Sequence, residues 1–324
     1  MRVVTGGMVR TGTGIGVVQR NLYPRLLDAG IDLIETDSRD AGSEFLARLR
    51  GLWRGWFPRI PSADAYLAVV PPLPISVRVP VVSVVHDLRW QRTRRGLARY
   101  YRAWDLRRTV TSSTRIVCIS ERTRRDLEAF EPRSVGKTCV VWEGPGIVPD
   151  GSFTTGARGR VLLIGGAPHK RNEFAAEVLS RRPQWCRSVV GVGVGDEVRR
   201  RLDYAYPGAT TWYGRVSDEQ LIRLYQEAET FVFFGVEEGF GLPYIEALAS
   251  GCNVVAIRQE LTEELIGEAA VLVQDGSVDE VVSQIAMIGF PSAEIRRRTA
   301  SRYSWDGFTT GVLRVLADVD RFKR

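Results

Sequence analysis

The sequence predicts an α/β protein made of two doubly wound, Rossmann-like domains that face each other across a cleft. Strand-like and helix-like segments alternate through the first half of the chain, stop in a stretch rich in glycine and proline, and then alternate again. Alternation of this kind is typical of parallel sheets with helices on both faces. The length of 324 residues agrees with two domains of about 150 residues each.

Hydrophobic runs bounded by turn residues mark the individual elements. The run at 79–85 is rich in valine, as expected of a parallel strand buried on both faces. We expect the strands of the first half at 31–35, 65–70, 79–85, 115–119 and 138–142, and its helices at 17–29, 94–109 and 121–130. We expect the strands of the second half at 161–164, 188–194, 210–213, 230–234, 253–257 and 270–273. Ser120 is a predicted N-cap, and Ser217 with Gln220 predicts a capping box for a helix over 217–229.

The segment 143–151, together with 154–159, is rich in glycine and proline and has no hydrophobic periodicity. Such a composition is typical of a linker. We therefore place a domain boundary there, with an N-terminal domain over 1–148 and a C-terminal domain over 149–302.

The composition is that of a globular protein, with 44% hydrophobic and 26% charged residues. No run approaches the ~18–20 apolar residues of a membrane span, and residues 1–7 do not fit a secretion signal, so we expect a cytoplasmic protein.

The net charge of +7 is carried almost entirely by arginine and favours anionic partners. The sequence contains no recognisable nucleic-acid-binding module. The four cysteines lack the spacing of zinc or redox sites, and two histidines exclude a multi-histidine metal site.

The most informative segment is 237–251, in which two glutamates, Glu238 and Glu246, stand eight positions apart. Pro243 suits the first turn of a helix and Gly251 suits the left-handed position just past its end. The loop at 239–241 therefore offers backbone amides at a helix N-terminus, where phosphate oxygens bind well. Amides for phosphates, with a carboxylate on either side for hydroxyls, predict a pocket for a sugar nucleotide.

This segment resembles the glutamate–seven residues–glutamate motif of retaining glycosyltransferases with the two-domain GT-B fold, most closely glycosyltransferase family 4. The resemblance covers most of the chain and is sharpest from Val161 onward. It implies that the N-terminal domain binds the acceptor and that the C-terminal domain binds the nucleotide sugar. It also implies that residues 303–324 form a closing helix that returns to the N-terminal domain.

The resemblance assigns roles to the residues of this motif. Glu246 would bind the ribose hydroxyls and Glu238, as a catalytic residue, the hydroxyls of the donor sugar. The loop and the helix start would bind donor oxygens through Gly239, Phe240, Gly241 and Leu242.

A second loop, 165–172, resembles the family's basic loop that holds the pyrophosphate. Lys170 and Arg171 would offset the negative charge on the leaving nucleotide. The order of the two cations is reversed, and Gly166 stands where the family often has arginine or a hydroxyl residue. Which cation binds which phosphate therefore stays open. His169 is interpreted as exposed loop surface.

A third loop, at 12–16, precedes the first predicted helix. The family's matching loop approaches the donor diphosphate, and this role is carried to Gly14 and Gly16. A dinucleotide-binding loop and a plain strand-to-helix turn are the alternatives, and the acidic partner that a dinucleotide site needs is ambiguous between Glu35 and Asp37.

His86 and Asp87 close the predicted strand at 79–85, at the edge where open α/β sheets bind their ligands. The family carries a His-Asp pair in the corresponding place, close to the donor sugar. We expect His86 to be catalytic, through a hydrogen bond to a sugar hydroxyl or to the developing charge on the phosphate. Asp87 would orient the ring or cap the next turn.

Two segments combine aromatic and basic side chains. The first is 51–57, between Arg48 and Arg59. The second is the predicted helix at 94–109, with Arg95, Arg99 and Arg102 on one face and Leu97, Tyr101 and Trp104 on another. This helix has two interpretations, a core-facing stripe with a solvated basic side, or a surface that contacts anionic membrane.

The expected activity is transfer of a hexose-type sugar, with retention, from a nucleoside-diphosphate sugar to a hydroxyl of a glycan, a lipid-linked glycan or a small aglycone. No cofactor or metal is expected, because cations and amides replace a metal, and His86 and Gly16 would complete the site when the cleft closes. The alternatives are an NAD(P)-dependent oxidoreductase, a GT-B-type epimerase and a non-catalytic scaffold docked on the membrane. The expected location is cytoplasmic, with peripheral contact at the inner face of the cell membrane left open.

Overall fold

The computed structural model describes residues 1–7, 14–36, 60–70, 72–93, 95–147 and 156–321. The basic aromatic segment at 51–57, Gly12 with Thr13, and the middle of the predicted linker, at 148–155, lie outside the described residues. The chain divides into two compact units, one formed by Met1–Gly144 with Ser304–Arg324 and the other by Pro145–Tyr303. The boundaries expected from the sequence, 148/149 and 302/303, differ from these by a few residues.

The first unit is built around a parallel sheet. Its strands are β1 (Arg2–Thr5), β2 (Asp32–Glu35), β3 (Ala65–Ala68), β4 (Val81–Val85), β5 (Arg115–Cys118) and β6 (Thr138–Val140). Its first four helices are α1 (Gly14–Asp28), α2 (Trp90–Thr93), α3 (Gly96–Ser112) and α4 (Glu121–Phe130). The strand order is β2-β1-β3-β4-β5-β6, and all five pairings are parallel. Every residue of β4 is buried, as the valine-rich run predicts.

The second unit repeats this plan with a different strand order. Its strands are β7 (Ala157–Ile164), β8 (Ser188–Val192), β9 (Thr210–Tyr213), β10 (Ala228–Phe233), β11 (Asn253–Ile257) and β12 (Val271–Val273). Its helices are α5 (Asn172–Ser180), α6 (Asp196–Ala205), α7 (Asp218–Glu227), α8 (Leu242–Ala249), α9 (Glu260–Ile266), α10 (Val278–Ile288) and α11 (Ala293–Ala300). The strand order β12-β11-β10-β7-β8-β9, again all parallel, is the Rossmann order read from its far edge. The predicted doubly wound α/β class is thus confirmed for both units.

The helix α12 (Trp305–Arg321) belongs to the first unit although it follows the second unit in the chain. It packs on α1 and on β3, β4 and β5. Its apolar stripe of Phe308, Val312, Leu316 and Val319 is buried. Nε of Arg25 donates to Oδ1 of Asp306 across 2.7 Å at the helix start. The first unit is therefore formed by two segments that are distant in the chain.

Two helix caps predicted from the sequence are present. The hydroxyl oxygen of Ser120 accepts from the Thr123 backbone N–H at the start of α4. That of Ser217 accepts from the Gln220 N–H at the start of α7, but the return bond from the Gln220 side chain, which the predicted capping box needs, is not among the hydrogen bonds of the described residues. Each bond satisfies one backbone donor that the first helical turn leaves without a partner.

The core-facing interpretation of α3 is wrong. Leu97 is 87% exposed and Trp104 is 47% exposed, while the buried residues of this helix are Asp105 and Val110. The N-terminal turns of α3 extend away from the core, so their apolar side chains meet solvent. None of the helices within the described ranges is both long and apolar enough to cross a membrane.

Candidate functional site

In the second unit the candidate site lies where two central strands, β7 and β10, are neighbours. From β7 the chain continues to β8 and β9 on one side, and from β10 it continues to β11 and β12 on the other. Open α/β sheets bind ligands beside the carboxyl ends of the strands at such a switch point. The loop that follows β7 contains the predicted basic segment, and the loop that follows β10 contains the first glutamate of the motif. The topology therefore brings the two predicted motifs to one edge.

Hydrogen bonds hold the loop after β7 in place. The side-chain amide of Asn172 donates to the carbonyls of Ile164 and Gly165. The Val236 N–H, in the loop after β10, donates to the carbonyl of His169 across 3.2 Å. This bond joins the two loops directly.

Lys170 and Arg171 are held in different ways. The Lys170 ammonium lies 5.6 Å from the centre of the Phe233 ring, at the end of β10. Arg171 has φ of +54°, and its guanidinium forms two hydrogen bonds of 2.8 and 2.9 Å with Asp275. Lys170 thus points toward the switch point, whereas Arg171 is engaged by a carboxylate that the sequence analysis did not single out.

Glu246 lies in α8, one turn after its start, and is buried. Its Oε2 accepts from the Tyr225 hydroxyl across 3.1 Å. Burial raises the pKa of Glu246 to about 7, against the opposing effects of the Tyr225 hydrogen bond, the Gly146 amide and the Lys170 charge. Such a carboxyl is partly protonated near neutral pH, and hydrogen bonds donated by a ligand would stabilise its carboxylate form.

Glu238 lies within the loop between β10 and α8, with only 17% of its side chain exposed. Its Oε1 is 3.7 Å from Nε2 of His169, whose side chain is 26% exposed. The expectation that His169 is exposed loop surface is therefore wrong. The link between the two loops places this histidine against the predicted catalytic glutamate.

The start of α8 has the predicted form. Gly241 is the N-cap with φ of +76°, Pro243 lies in the first turn, and Gly251 has φ of +96° beyond the helix end. Phe240 is buried against the ring of Tyr303. The backbone amides of Phe240 and Gly241 form no hydrogen bond with any residue the structure describes. These amides precede a helix N-terminus, an arrangement suited to anions.

The first unit has a cavity of about 280 Å³ at the carboxyl edge of its sheet, which His86 and Asp87 line but the predicted Gly14 and Gly16 do not. Ile15, between Gly14 and Gly16 in the first turn of α1, lines the cavity, as do His86 and Trp90. An added Cβ on Gly14 would meet nothing within 4 Å. The cavity therefore brings the start of α1 and the end of β4 together.

His86 directly follows β4, and only 14% of its side chain is exposed. Its Nδ1 is 3.2 Å from Oε1 of Glu143, and its Nε2 is 3.0 Å from the carbonyl oxygen of Val69. Asp87 caps the next turn by accepting from the Arg89 N–H across 2.9 Å. Of the two roles expected for Asp87, the cap is the one seen.

Sequence reasoning missed Glu143, Tyr225 and Asp275. Each is distant in sequence from the residue it contacts, and none belongs to a recognisable motif. Within the part of the chain that the structure describes, no group of three or more His, Cys, Asp or Glu residues could hold a metal ion.

Known proteins match the second unit in sequence. Residues 158–288 match the family described as "Glycosyl transferases group 1". The O-antigen chain mannosyltransferase B of Escherichia coli is 32% identical over 109 residues, which is 32% of this chain and 29% of that protein. The chain spans less than a third of the length of the curated relatives it matches.

Solved structures of similar fold cover nearly the whole chain. Sucrose-phosphate synthase from Thermosynechococcus elongatus has a TM-score of 0.75 at 15% identity, covering 98% of both chains. Alr3699/HepE of Anabaena, solved in complex with UDP and glucose, has a TM-score of 0.68 at 13% identity, covering 98% of this chain and 100% of that one. The chain therefore has the GT-B fold, and residues 158–288 match the glycosyl transferases group 1 family.

Proposed function

We propose that this protein, whose residues 158–288 match the glycosyl transferases group 1 family, is a retaining glycosyltransferase. It moves a hexose from a nucleoside-diphosphate sugar to an acceptor hydroxyl. The observation that carries this proposal is the convergence of Lys170, Glu238 and Glu246 at the switch point of the second sheet. The name of the mannosyltransferase relative and the UDP and glucose bound to the Anabaena structure support a hexose donor.

The second unit binds the nucleotide half of the donor. The ribose hydroxyls donate to Glu246, whose buried carboxyl already accepts from Tyr225. Lys170 and the amides at 239–242 bind the diphosphate, and Arg171 adds its charge from the ion pair with Asp275. These positive groups stabilise the charge that develops on the leaving diphosphate, so the proposed reaction needs no metal.

The sugar half reacts with retention. Glu238 accepts hydrogen bonds from hydroxyls of the donor sugar. The acceptor oxygen forms a bond to the anomeric carbon on the face that the diphosphate leaves. The leaving phosphate oxygen takes the electron pair of the broken bond and then the proton of the acceptor hydroxyl.

The first unit binds the acceptor in its cavity of about 280 Å³, which is large enough for one sugar ring or a similar group. Trp90 and Leu106 offer apolar surface, and Asp87, Arg89 and Arg102 offer polar groups. Sugars suit such a lining, because each ring has an apolar face and a hydroxyl edge. A glycan, the glycan part of a lipid, or a small aglycone all fit this description.

Nucleotide binding tests the proposal. Thermal unfolding is followed with UDP, GDP, ADP, TDP and NAD, each without metal and then with magnesium. A diphosphate at ~100-fold excess over its dissociation constant adds about 2.7 kcal/mol of stability. We expect one nucleoside diphosphate to raise Tm without any need for magnesium. A shift with NAD alone would favour the oxidoreductase, and a shift that needs magnesium would contradict metal independence.

Retention is tested with the donor that the panel identifies. The anomeric configuration of the product is read by NMR against that of the donor, and inversion would contradict the proposal. Turnover of the sugar nucleotide without any acceptor product would favour the epimerase.

The exposed part of α3 supports a peripheral membrane role. Leu97, Tyr100 and Trp104 are 87%, 75% and 47% exposed and, at 3.6 residues per turn, share one helical face. Arg95 and Arg99 are exposed beside them and form no ion pair with a described residue. Aromatic and leucine side chains flanked by arginine are typical of helices that lie in the interface of an anionic bilayer. We propose contact with the inner face of the cell membrane, where a lipid-linked acceptor would be found.

Vesicle binding tests the membrane contact. We expect co-sedimentation with vesicles that contain an anionic phospholipid and weak binding to purely zwitterionic ones. The double variant Leu97→Ser, Trp104→Ser should lose most of the binding. Tyr204→Ser is the control, because Tyr204 is 92% exposed but lies on α6 of the second unit. Equal binding by both variants, or no dependence on lipid charge, would contradict this surface.

A further inference from the structure

Both ring nitrogens of His86 face oxygen atoms that accept hydrogen bonds. Nε2 lies 3.0 Å from the carbonyl oxygen of Val69, which has no hydrogen to donate. Nδ1 lies 3.2 Å from Oε1 of Glu143. Glu143 is 3% exposed. A buried carboxylate needs a positive partner, and His86 is the one hydrogen-bonding partner this carboxyl has among the described residues.

The protonation state follows from these two contacts. A neutral imidazole has one donor and one acceptor nitrogen, whereas an imidazolium has two donors. With an ionised Glu143, the two contacts are both satisfied only by the imidazolium. The alternative is a protonated Glu143 that donates to Nδ1 of a neutral ring. That arrangement leaves the proton on the carboxyl, which is ordinarily the weaker base of the two by about two pH units.

Charged groups of both signs lie near the ring. Asp87 follows His86 directly, and its charge favours the imidazolium. Arg89, Arg102 and Asp105 line the same cavity. Asp105 is paired with Arg108, with 3.2 Å between Oδ1 and Nη2. Burial lowers the pKa of His86, but the Glu143 hydrogen bond and charge, the Val69 carbonyl and Asp87 together raise it above its ordinary value.

We infer that Glu143 is a positioning residue, which holds His86 in one orientation as an imidazolium. His86 then supplies a fixed positive charge at the carboxyl edge of the first sheet and does not accept a proton from a substrate. The orientation and protonation of His86 do not depend on the proposed function, whereas the catalytic role expected for His86 rests on it. Its consequence for the reaction is that the acceptor proton leaves through the phosphate and not through this ring.

Histidine NMR tests the inference without a substrate, so its outcome is independent of whether the protein transfers a sugar. The chain has only two histidines, and His169→Gln assigns the two sets of ring signals. In the wild type at pH 7 we expect hydrogen on both nitrogens of His86. In Glu143→Gln, which keeps the shape but removes the charge, the His86 midpoint should move at least about one pH unit lower. Glu131→Gln is the control, since Glu131 is also buried in the first unit but pairs with Arg133.

Hydrogen on Nε2 alone at pH 7 would overturn the inference, because it identifies the neutral pair. An unchanged His86 midpoint in Glu143→Gln would overturn it as well. If Glu143→Gln fails to fold, the wild-type ring spectra decide the question alone.

Discussion

Tyr225 donates its hydroxyl hydrogen to Glu246 across 3.1 Å, and both side chains are buried in the second unit. Burial raises the pKa of Glu246 to about 7, whereas an unfolded chain releases this proton near pH ~4.3. Between these two values the folded state binds more protons than the unfolded state. The free energy of unfolding therefore falls as the pH rises through this window.

The first prediction concerns Glu246→Gln, which keeps an acceptor for Tyr225 and removes the charge. At pH 8 the variant should be more stable than the wild type by about 3–4 kcal/mol. The difference should shrink as the pH falls and vanish below about pH 4. Urea unfolding at several pH values measures it.

Glu131 provides the control, because its pKa is lowered in the folded state whereas that of Glu246 is raised. The Arg133 hydrogen bond holds the pKa of Glu131 below its ordinary value. Its contribution to stability is present above that ordinary value and is lost as the pH falls, so Glu131→Gln should lose stability at neutral pH. If both glutamine variants showed the same trend with pH, the assignment for Glu246 would be wrong.

Nucleotide affinity should depend on pH through Glu246. If ribose hydroxyls donate to this group, the carboxylate form binds better, so affinity should rise as the pH increases through about 7. With that midpoint, the gain between pH 6 and 8 reaches about tenfold in the limit where only the carboxylate binds. Calorimetry with the nucleoside diphosphate found by thermal shift measures it, and Glu246→Gln corrects for titration of the phosphates. A parallel rise in both proteins would exclude Glu246 as the ribose ligand.

Most of the fold could be predicted because it rests on local patterns. Strands such as Thr210–Tyr213 and Asn253–Ile257 have the predicted bounds, since each hydrophobic run is flanked by turn residues. The order of the strands within each sheet was not predicted, because it depends on pairing between distant segments. The orientation of α3 also could not be predicted, because Leu97 and Trp104 fit a core stripe and an exposed surface equally well.

The candidate site was predictable only where it consists of a motif. The spacing of Glu238 and Glu246 and the glycines between them could be read directly. Glu143 lies 57 positions from His86, and its carboxyl resembles any other in the sequence. His169 was assigned to the surface because nothing in its own loop shows that Glu238 lies opposite.

Gly241→Ala should destabilise the second unit and weaken nucleotide binding. The residue has φ of +76°, and an added Cβ would lie 2.6 Å from the Tyr244 ring. Gly208→Ala is the matched control, because Gly208 has φ of +72° but open space at the same point. The control should lose about 1–2 kcal/mol from its backbone conformation alone, and Gly241→Ala should lose more. Equal losses in Tm would show that the Tyr244 contact is unimportant.

The two cations of the loop after β7 should contribute unequally to nucleotide binding. Lys170→Met should weaken the binding of a nucleoside diphosphate about 10- to 100-fold, as expected for loss of one hydrogen bond to a charged group. Asp275→Asn frees Arg171 from a partly exposed ion pair, and such pairs contribute at most about 1 kcal/mol. Its effect on the dissociation constant should therefore stay within about fivefold, and a larger effect would give Arg171 the main role.

The placement of α12 determines the order in which the protein can fold on the ribosome. The helix completes the first unit, yet Asp306 is synthesised 281 positions after its partner Arg25. Residues 145–303, by contrast, form the second unit without help from later segments. Since domains fold as units during synthesis, the second unit can fold once residues 145–303 have been made. The first unit is begun earlier but stays incomplete until α12 has been made, and the apolar surface that α12 covers is exposed until then. We expect chains that are truncated after residue 303 and released from the ribosome to hold a protease-resistant second unit and a first unit that chaperones recognise.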